Sequence, residues 1–356
     1  MVPQPVPCAV LSIDIPSLTS FVAALLTAKG TPSHIADVVA DSLVLSNRRG
    51  HDSHGVIRVA SYCEWIDNGW VVPAAEPDIT ESHPSALQVD GNFGFGQYVG
   101  RVAMARAVEL ARGGHCVITI KRSGHLGRVG ELMEQAAAAG LVAVGFTNTH
   151  GGGLVTAPFG GSERRLSANP VVGGAPLPGG QAPMMMDIST STIAAGKVRV
   201  AAARGERLAD GCLVDAEGRP SNDPNDYEAT LQGALLPFGG HKGYCLAMFS
   251  DLLAGALSGA GCSTVGVERI ANGFFGLVLD PEAFCGAEFF ETQVGGLVPH
   301  VKSSRLMEGH DEILYPGELE GRREVELQSH VAIEEPTWSE TAAVAKELGV
   351  PVPAVS

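Results

Sequence analysis

The sequence predicts an α/β protein of mixed α+β character, with strands and helices alternating in the centre and helical material at both ends. Three observations carry this. Short apolar runs alternate with helix-period segments between residues 86 and 280. Helical spacing dominates residues 17–67 and returns near the C-terminus. Hydrophobic residues make up 45% of the chain and charged residues 18%, enough apolar material for a large core and too little charge for disorder. At roughly 100–200 residues per domain, 356 residues suggest two domains.

Residues 17–48 read as two helices, with Ser17 capping the first and Ser33, after Pro32, capping the second. Ile35, Val38, Val39 and Leu43 recur at helical spacing. Val59 to Trp65 continues as helix and Asn68-Gly69 closes it. Residues 71–85 are Pro-rich and extended, Ala86–Asp90 is a short strand, and Gln97–Arg112 is a helix ending at Gly113-Gly114. Strand Cys116–Lys121, a loop, helix Gly130–Ala139 and strand Leu141–Thr147 follow. Met184–Ile188 reads as strand and Thr192–Ala203 as helix. Residues 204–232 are a polar loop stretch with a turn at Asp215–Gly218. Gly243–Leu257 is a strongly apolar helix, and Gly273–Asp280 contains a strand. Phe284–Ser304 is partly helical, Tyr315–Glu318 is a turn, and residues 338–348 are a terminal helix.

Several function classes are disfavoured at once. Lys+Arg is 24 against 39 Asp+Glu, a formal charge of −15, which repels phosphate backbones and argues against nucleic acid. Forty-five glycines without a fixed period exclude collagen and imply many tight turns. Seven cysteines with no C-x-x-C read as reduced residues of a cytoplasmic protein. The N-terminus lacks a signal-peptide pattern, and no run of about 18 apolar residues suggests a membrane span.

Five segments carry candidate chemistry. Gly94-Phe95-Gly96-Gln97-Tyr98-Val99-Gly100 sits between a strand and a helix as a dinucleotide turn would, but its spacing is one residue too long. The next strand also ends in Lys121-Arg122, not in an acidic residue, so it reads as a tight turn before a packed helix. Arg48 to Arg58 gathers His51, His54, Asp52 and three arginines. Arg58 suits a carboxylate through its two-pronged fork, and His54 lies four residues before it. His51 and Asp52 as plain helix caps, or His51 and His54 as metal ligands, are the competing readings, the latter without the H-E-x-x-H pattern. His125, in Ser123-Gly124-His125-Leu126-Gly127 at a strand end, is placed for acid–base work. Asp187 ends an apolar strand and can orient a histidine or cap the next helix. Gly239-Gly240-His241-Lys242-Gly243 opens a helix and suits a pyrophosphate without being a P-loop.

In order along the chain, these segments resemble the type 2 malate/L-lactate dehydrogenase family, which also holds sulfolactate and ureidoglycolate dehydrogenases and cyclic imino acid reductases. Asp52-Ser53-His54-Gly55 with Arg58 is similar to its D-S-H-G-x-x-R, and Ser123–Gly127 to its S-x-H-x-G. Pro158–Gly161, Asn169-Pro170, Asp187–Ser191 with Gly196-Lys197, Leu236–Gly243 and Pro316–Glu318 match later motifs. The resemblance implies a non-Rossmann fold with a mixed central sheet flanked by helices. It implies a helical substrate and dimerisation domain from residues 1–85 plus 305–356, and an NAD(P)-binding domain at 86–304. It implies a homodimer or higher homo-oligomer, NADH or NADPH as cofactor, and a small carboxylate substrate. His125 would exchange the proton, with Asp187 and His54 supporting it. Arg58, Ser53 and His54 would hold the carboxylate. Ser123, His125, Asn169, Asp187, Thr190, Ser191, Lys242 and Gly243 would contact the cofactor. The expected reaction passes hydride between nicotinamide and C2 of a 2-oxo or 2-hydroxy acid. The alternatives are reduction of a cyclic imino acid and, outside the class, metal-dependent hydrolysis by His51, His54 and His125. Two departures from the family pattern stand out: Ser167-Ala168 before Asn169-Pro170, and a glycine-rich stretch at Thr149–Gly153.

Overall fold

The computed structural model describes residues 10–150, 153–229 and 232–355, so part of the Thr149–Gly153 stretch lies outside the described residues. Its strands are β1 (Val10–Asp14), β2 (Asp78–His83), β3 (Ala86–Asp90), β4 (His115–Ser123), β5 (Val142–His150), β6 (Val171–Ala175), β7 (Met184–Ile188), β8 (Leu213–Val214), β9 (Pro220–Ser221), β10 (Ala234–Leu235), β11 (Ala271–Leu279) and β12 (His330–Glu334). Its helices are α1 (Ile15–Ala28), α2 (Ser33–Arg48), α3 (Arg58–Asp67), α4 (Gly96–Ala111), α5 (Gly130–Ala138), α6 (Ala195–Arg204), α7 (Asn225–Glu228), α8 (His241–Ser250), α9 (Pro281–Phe284), α10 (Ala287–Lys302), α11 (Glu318–Glu326) and α12 (Glu335–Leu348).

A seven-stranded mixed sheet runs β2-β3-β4-β11-β5-β6-β7. Its one parallel pair, β3 with β4, is joined through α4, as a parallel pair requires a crossover. The other pairs are antiparallel. Strand β11 comes late in the chain yet sits between β4 and β5, so its Phe274 is fully buried. Gly145 and Gly276 make room for that ring, since a Cβ at either would come within 2.7 Å of it. One core lies between the sheet and α4 and α5, around Met104, Ile118, Met133 and Phe274. A second joins α1, α2 and α3 to β12 and α12, around Leu18, Leu43, Tyr62 and Trp338.

Several elements differ from the sequence reading. Asp14, not Ser17, caps α1; its Oδ2 accepts from the Ser17 N–H at 3.0 Å and the Ser17 hydroxyl at 2.7 Å. Ser33 is the first residue of α2, with Pro32 in the cap position and no side-chain cap bond. Helix α6 starts at Ala195 because Thr192 is held by its N–H to the Leu236 carbonyl. The apolar helix starts two residues early, at His241, and changes to a π-helical turn over Asp251–Leu257. Helix α11 stands just after the expected turn. Its two apolar residues, Leu319 and Val325, are exposed, and it is held by Arg48 and Arg49 on Glu324 and by Lys302 on Glu318.

Candidate active site

The site grows from the corner between α2 and α3. Asn47 folds back under this corner: its Oδ1 accepts from the Val56 N–H at 2.8 Å and its Nδ2 donates to Asp52 at 2.7 Å. Gly55 is required there, because a Cβ would stand 2.1 Å from Asn47 Oδ1. Asp52 and Gly55 therefore shape the corner, and Ser53 and His54 project from it. The Ser53 hydroxyl lies 3.0 Å from His54 Nδ1. One turn on, Arg58 Nε donates to the Ser53 carbonyl at 2.6 Å. Among the described residues no carboxylate pairs with Arg58, so its outer guanidinium N–H groups are free for an incoming anion.

The second wall is the loop after β4. Gly96 presses against it so closely that a Cβ would come within 2.3 Å of the His125 carbonyl, and the Gly94 carbonyl accepts from the Gly124 N–H at 2.8 Å. The tempting G-x-G turn thus docks on protein backbone, which leaves no room there for a pyrophosphate. It places the His125 ring on the His54 ring, with centroids 5.5 Å apart and planes 12° from parallel. Trp65 meets His125 edge-on at 6.4 Å. His125 Nδ1 lies 2.8 Å from the hydroxyl of Tyr62, which is itself fully buried.

Charge and burial act together here. Burial, then Arg58, then His54, hold His125 well below the usual histidine pKa of 6.5. Burial, Arg58, His51 and Arg128 bring His54 down to about 3. Burial pushes the Tyr62 phenol up to about 12. Both rings are driven toward the neutral form, and Arg58 is the cation nearest to them.

The other expected residues form a neighbouring cluster. Asp187 accepts from the Gly130 N–H at the start of α5 at 2.8 Å, and burial raises its pKa despite His51 and Arg128 nearby. No hydrogen bond joins it to His54 or His125. His51 has Glu320 as its carboxylate partner, at 3.8 Å. No group of three His, Cys, Asp or Glu among the described residues is placed to hold a metal. Thr190 donates to the Ala168 carbonyl at 2.9 Å, and the Ser191 hydroxyl donates to the Ile193 carbonyl at 2.8 Å. Asn169 is fully buried and its side chain is occupied by Ser167 (2.5 Å), the Ala247 carbonyl (2.9 Å) and Asp251 (3.0 Å). The unusual Ser167 thus holds Asn169 in place. Ser123 is buried at the end of β4 and donates to the Gly124 carbonyl. The two clusters meet where Gly196 packs on Ser53; a Cβ on Gly196 would lie 3.2 Å from that of Ser53.

A malate/L-lactate dehydrogenase family model matches residues 13–341. The chain belongs to the malate/L-lactate dehydrogenase family. It is 37% identical over 347 residues to an L-lactate dehydrogenase of Cupriavidus necator, covering 96% of this chain and 99% of that one. It is 33% identical to an L-sulfolactate dehydrogenase of Methanocaldococcus jannaschii, covering 90% and 92%. Among solved structures, the sulfolactate dehydrogenase of M. jannaschii superposes with a TM-score of 0.86 at 30% identity, covering 96% of this chain and 98% of that one. The Δ1-piperideine-2-carboxylate reductase of Pseudomonas syringae gives 0.81 at 28%, covering 94% and 99%. As a family member the chain is a nicotinamide-dependent oxidoreductase of 2-hydroxy acids. No helix is long and apolar enough to cross a membrane among the described residues.

The residues present fit a nicotinamide dinucleotide. Gly239 and Gly240 lie at φ of +56° and +61° directly before α8, so the chain turns sharply into the helix, and the Lys242, Gly243 and Tyr244 N–H groups bond back to the Gly239, Phe238 and Gly240 carbonyls of that turn. Lys242 is exposed beside them. Gly243 serves packing: a Cβ would stand 2.6 Å from the Thr190 carbonyl oxygen.

Sequence reasoning missed four residues of the site: Tyr62, Trp65, Gln97 and Arg128. Tyr62 stands one helical turn after Arg58, so the i,i+4 spacing was available as a signal. Trp65, Gln97 and Arg128 reach the site only through tertiary packing.

Proposed function

We propose that Arg58 binds the carboxylate of a 2-oxo or 2-hydroxy acid and that His125 exchanges a proton with the oxygen on C2. The observation that carries this is a partly buried arginine without an acidic partner, set beside two stacked neutral histidines. A substrate carboxylate supplies the missing counter-ion, and the fork of Arg58 fixes its plane. Ser53 and His54 border the same end of the substrate. The nicotinamide, when bound, supplies or accepts the hydride. Lys242 and the first turn of α8 hold the diphosphate, with Thr190, Ser191, Ser123 and the backbone at Asn169 and Gly243 lining its path. Asp187 supports the pocket through Gly130. In the reductive direction His125 Nε2 gives its proton to the developing alkoxide; in oxidation it takes that proton back.

The hydride carrier is NADH or NADPH, and a substrate panel run with both selects between them. A cyclic imino acid is the second reading, favoured by the likeness to the piperideine-2-carboxylate reductase. Such a substrate carries the same carboxylate for Arg58. We assign residues 1–85 and 305–356 to the substrate side and 86–304 to the cofactor side. A second copy of the chain covers the apolar face of α8 and its π-helical extension, where Met248, Phe249 and Leu252 are 47%, 59% and 54% exposed. The test is a panel of 2-oxo acids and cyclic imines with both cofactors, read at the absorbance of reduced nicotinamide. Turnover of 2-oxo acids that disappears in Arg58→Ala supports the reading; turnover of imines alone selects the second.

A further inference from the structure

His125 leans on Tyr62, and Tyr62 leans on Gln97. Gln97 is the second residue of α4, directly after the Gly96 contact that docks the His125 loop. It is buried, and its Nε2 donates to the Tyr62 oxygen at 2.7 Å. Its Oε1 is buried too and has no partner. Gly127 leaves the space around this amide; a Cβ there would stand 3.1 Å from Nε2.

The hydroxyl of Tyr62 has one proton. While Gln97 donates to its oxygen, that proton goes to His125 Nδ1, and the neutral imidazole carries its proton on Nε2. When His125 becomes an imidazolium, Nδ1–H must donate to the Tyr62 oxygen, and the Tyr62 proton needs a new acceptor. A buried hydroxyl proton without one is costly. Turning the Gln97 amide over brings Oε1 to that place. We propose that Gln97 is a positioning residue whose amide orientation follows the proton on His125 Nδ1: a donor to Tyr62 while Nδ1 is bare, an acceptor once Nδ1 is protonated, as it is in the imidazolium and in the neutral ring whose Nε2 is open to take the substrate proton. This rests on His125 being the proton-transfer group. The other charged or titratable groups around the two rings are Arg58 and Tyr62 on α3, His54 and His51 on the corner, Arg128 on the loop, and Asp187 on β7.

The test compares Gln97→Glu and Gln97→Met through the pH profile of kcat in both directions, with NADH binding as control. Gln97→Glu is a permanent acceptor, so the His125 pKa seen in kcat should rise by about one unit and oxidation near neutral pH should slow. Gln97→Met offers neither role, so that pKa should fall and reduction should slow about tenfold. ¹⁵N NMR of His125 should show the matching change in the Nδ1 signal. NADH affinity should stay within about twofold. Profiles of folded variants that coincide with wild type would overturn the inference. If Gln97→Met does not fold, Gln97→Leu takes its place in the comparison, because the Gln97→Glu shift also carries the charge of the new carboxylate. His125→Asn separates the two levels. If it keeps kcat, the assignment of His125 fails; if it loses kcat while the Gln97 profiles do not move, only the role of Gln97 fails.

Discussion

At the scale of single residues the argument turns on Arg58 and the two histidines. Removing one partner of a buried, hydrogen-bonded charge pair costs about 2–5 kcal/mol, so Arg58→Ala should lower kcat/KM by roughly 30- to 4,000-fold, mainly through KM. Arg58→Lys should recover little, because a point charge lacks the fork. Steady-state kinetics checks both, and a change within about threefold would remove the carboxylate role. The same arginine sets a pH effect. After burial, it is the next largest influence holding His125 below 6.5. A bound carboxylate cancels that influence, so His125 becomes more basic and binding takes up a proton. The affinity for a 2-oxo acid should therefore weaken as pH rises toward neutrality, and an indicator dye in weak buffer should register proton uptake on binding. Binding with no proton uptake anywhere in that range would contradict the electrostatic picture.

At the scale of elements, tight backbone contacts hold the site together. Gly96→Ala should force the His125 loop away from α4, lower Tm and reduce kcat, because the clash is with backbone that has nowhere to go. Circular dichroism melting with kinetics on the folded fraction reads this; a variant with wild-type Tm and kcat would show that the contact is dispensable. Such contacts also explain what was legible in the sequence. Strand Met184–Ile188 and helix Gly130–Ala138 follow from local apolar period, and the two stand where that period puts them. Strands β1 and β12 pair across some 320 residues, which no local pattern reveals. Helix α11 buries no apolar residue and depends on arginines at the end of α2, so its sequence looks like loop. Ser53, His54, Arg58 and His125 announced themselves by chemistry and motif order. Tyr62 and Gln97 did not, because a tyrosine in an apolar run and a glutamine after a glycine acquire meaning only once α3 and α4 meet behind the loop.

At the scale of the whole molecule, two partly buried histidines held toward the neutral form make stability depend on pH. His54 falls from 6.5 to about 3 on folding and His125 also falls well below 6.5, so the unfolded chain binds more protons in that interval. Stability is then fully present above about pH 6.5 and is lost as pH falls toward 3. Between pH 6.5 and 5, above the range of ordinary carboxylates, Tm should fall in wild type and fall less steeply in His54→Asn. Parallel slopes would mean that these rings are not buried in the neutral form. Assembly is the other property of the whole chain. Phe249→Asp on the apolar face of α8 should shift the protein toward monomer in sedimentation; an unchanged mass would place the interface elsewhere.

The central claim, that His125 is the proton donor and acceptor, is tested most directly by one measurement. It is single-turnover oxidation of bound NADH or NADPH, whichever the wild type uses, by its best 2-oxo acid, in wild type and His125→Asn. A general acid contributes about 10²–10⁴-fold. The expected result is a slowing of that order, with cofactor affinity unchanged and the fold intact. A correctly folded His125→Asn enzyme that transfers hydride at close to the wild-type rate would contradict it.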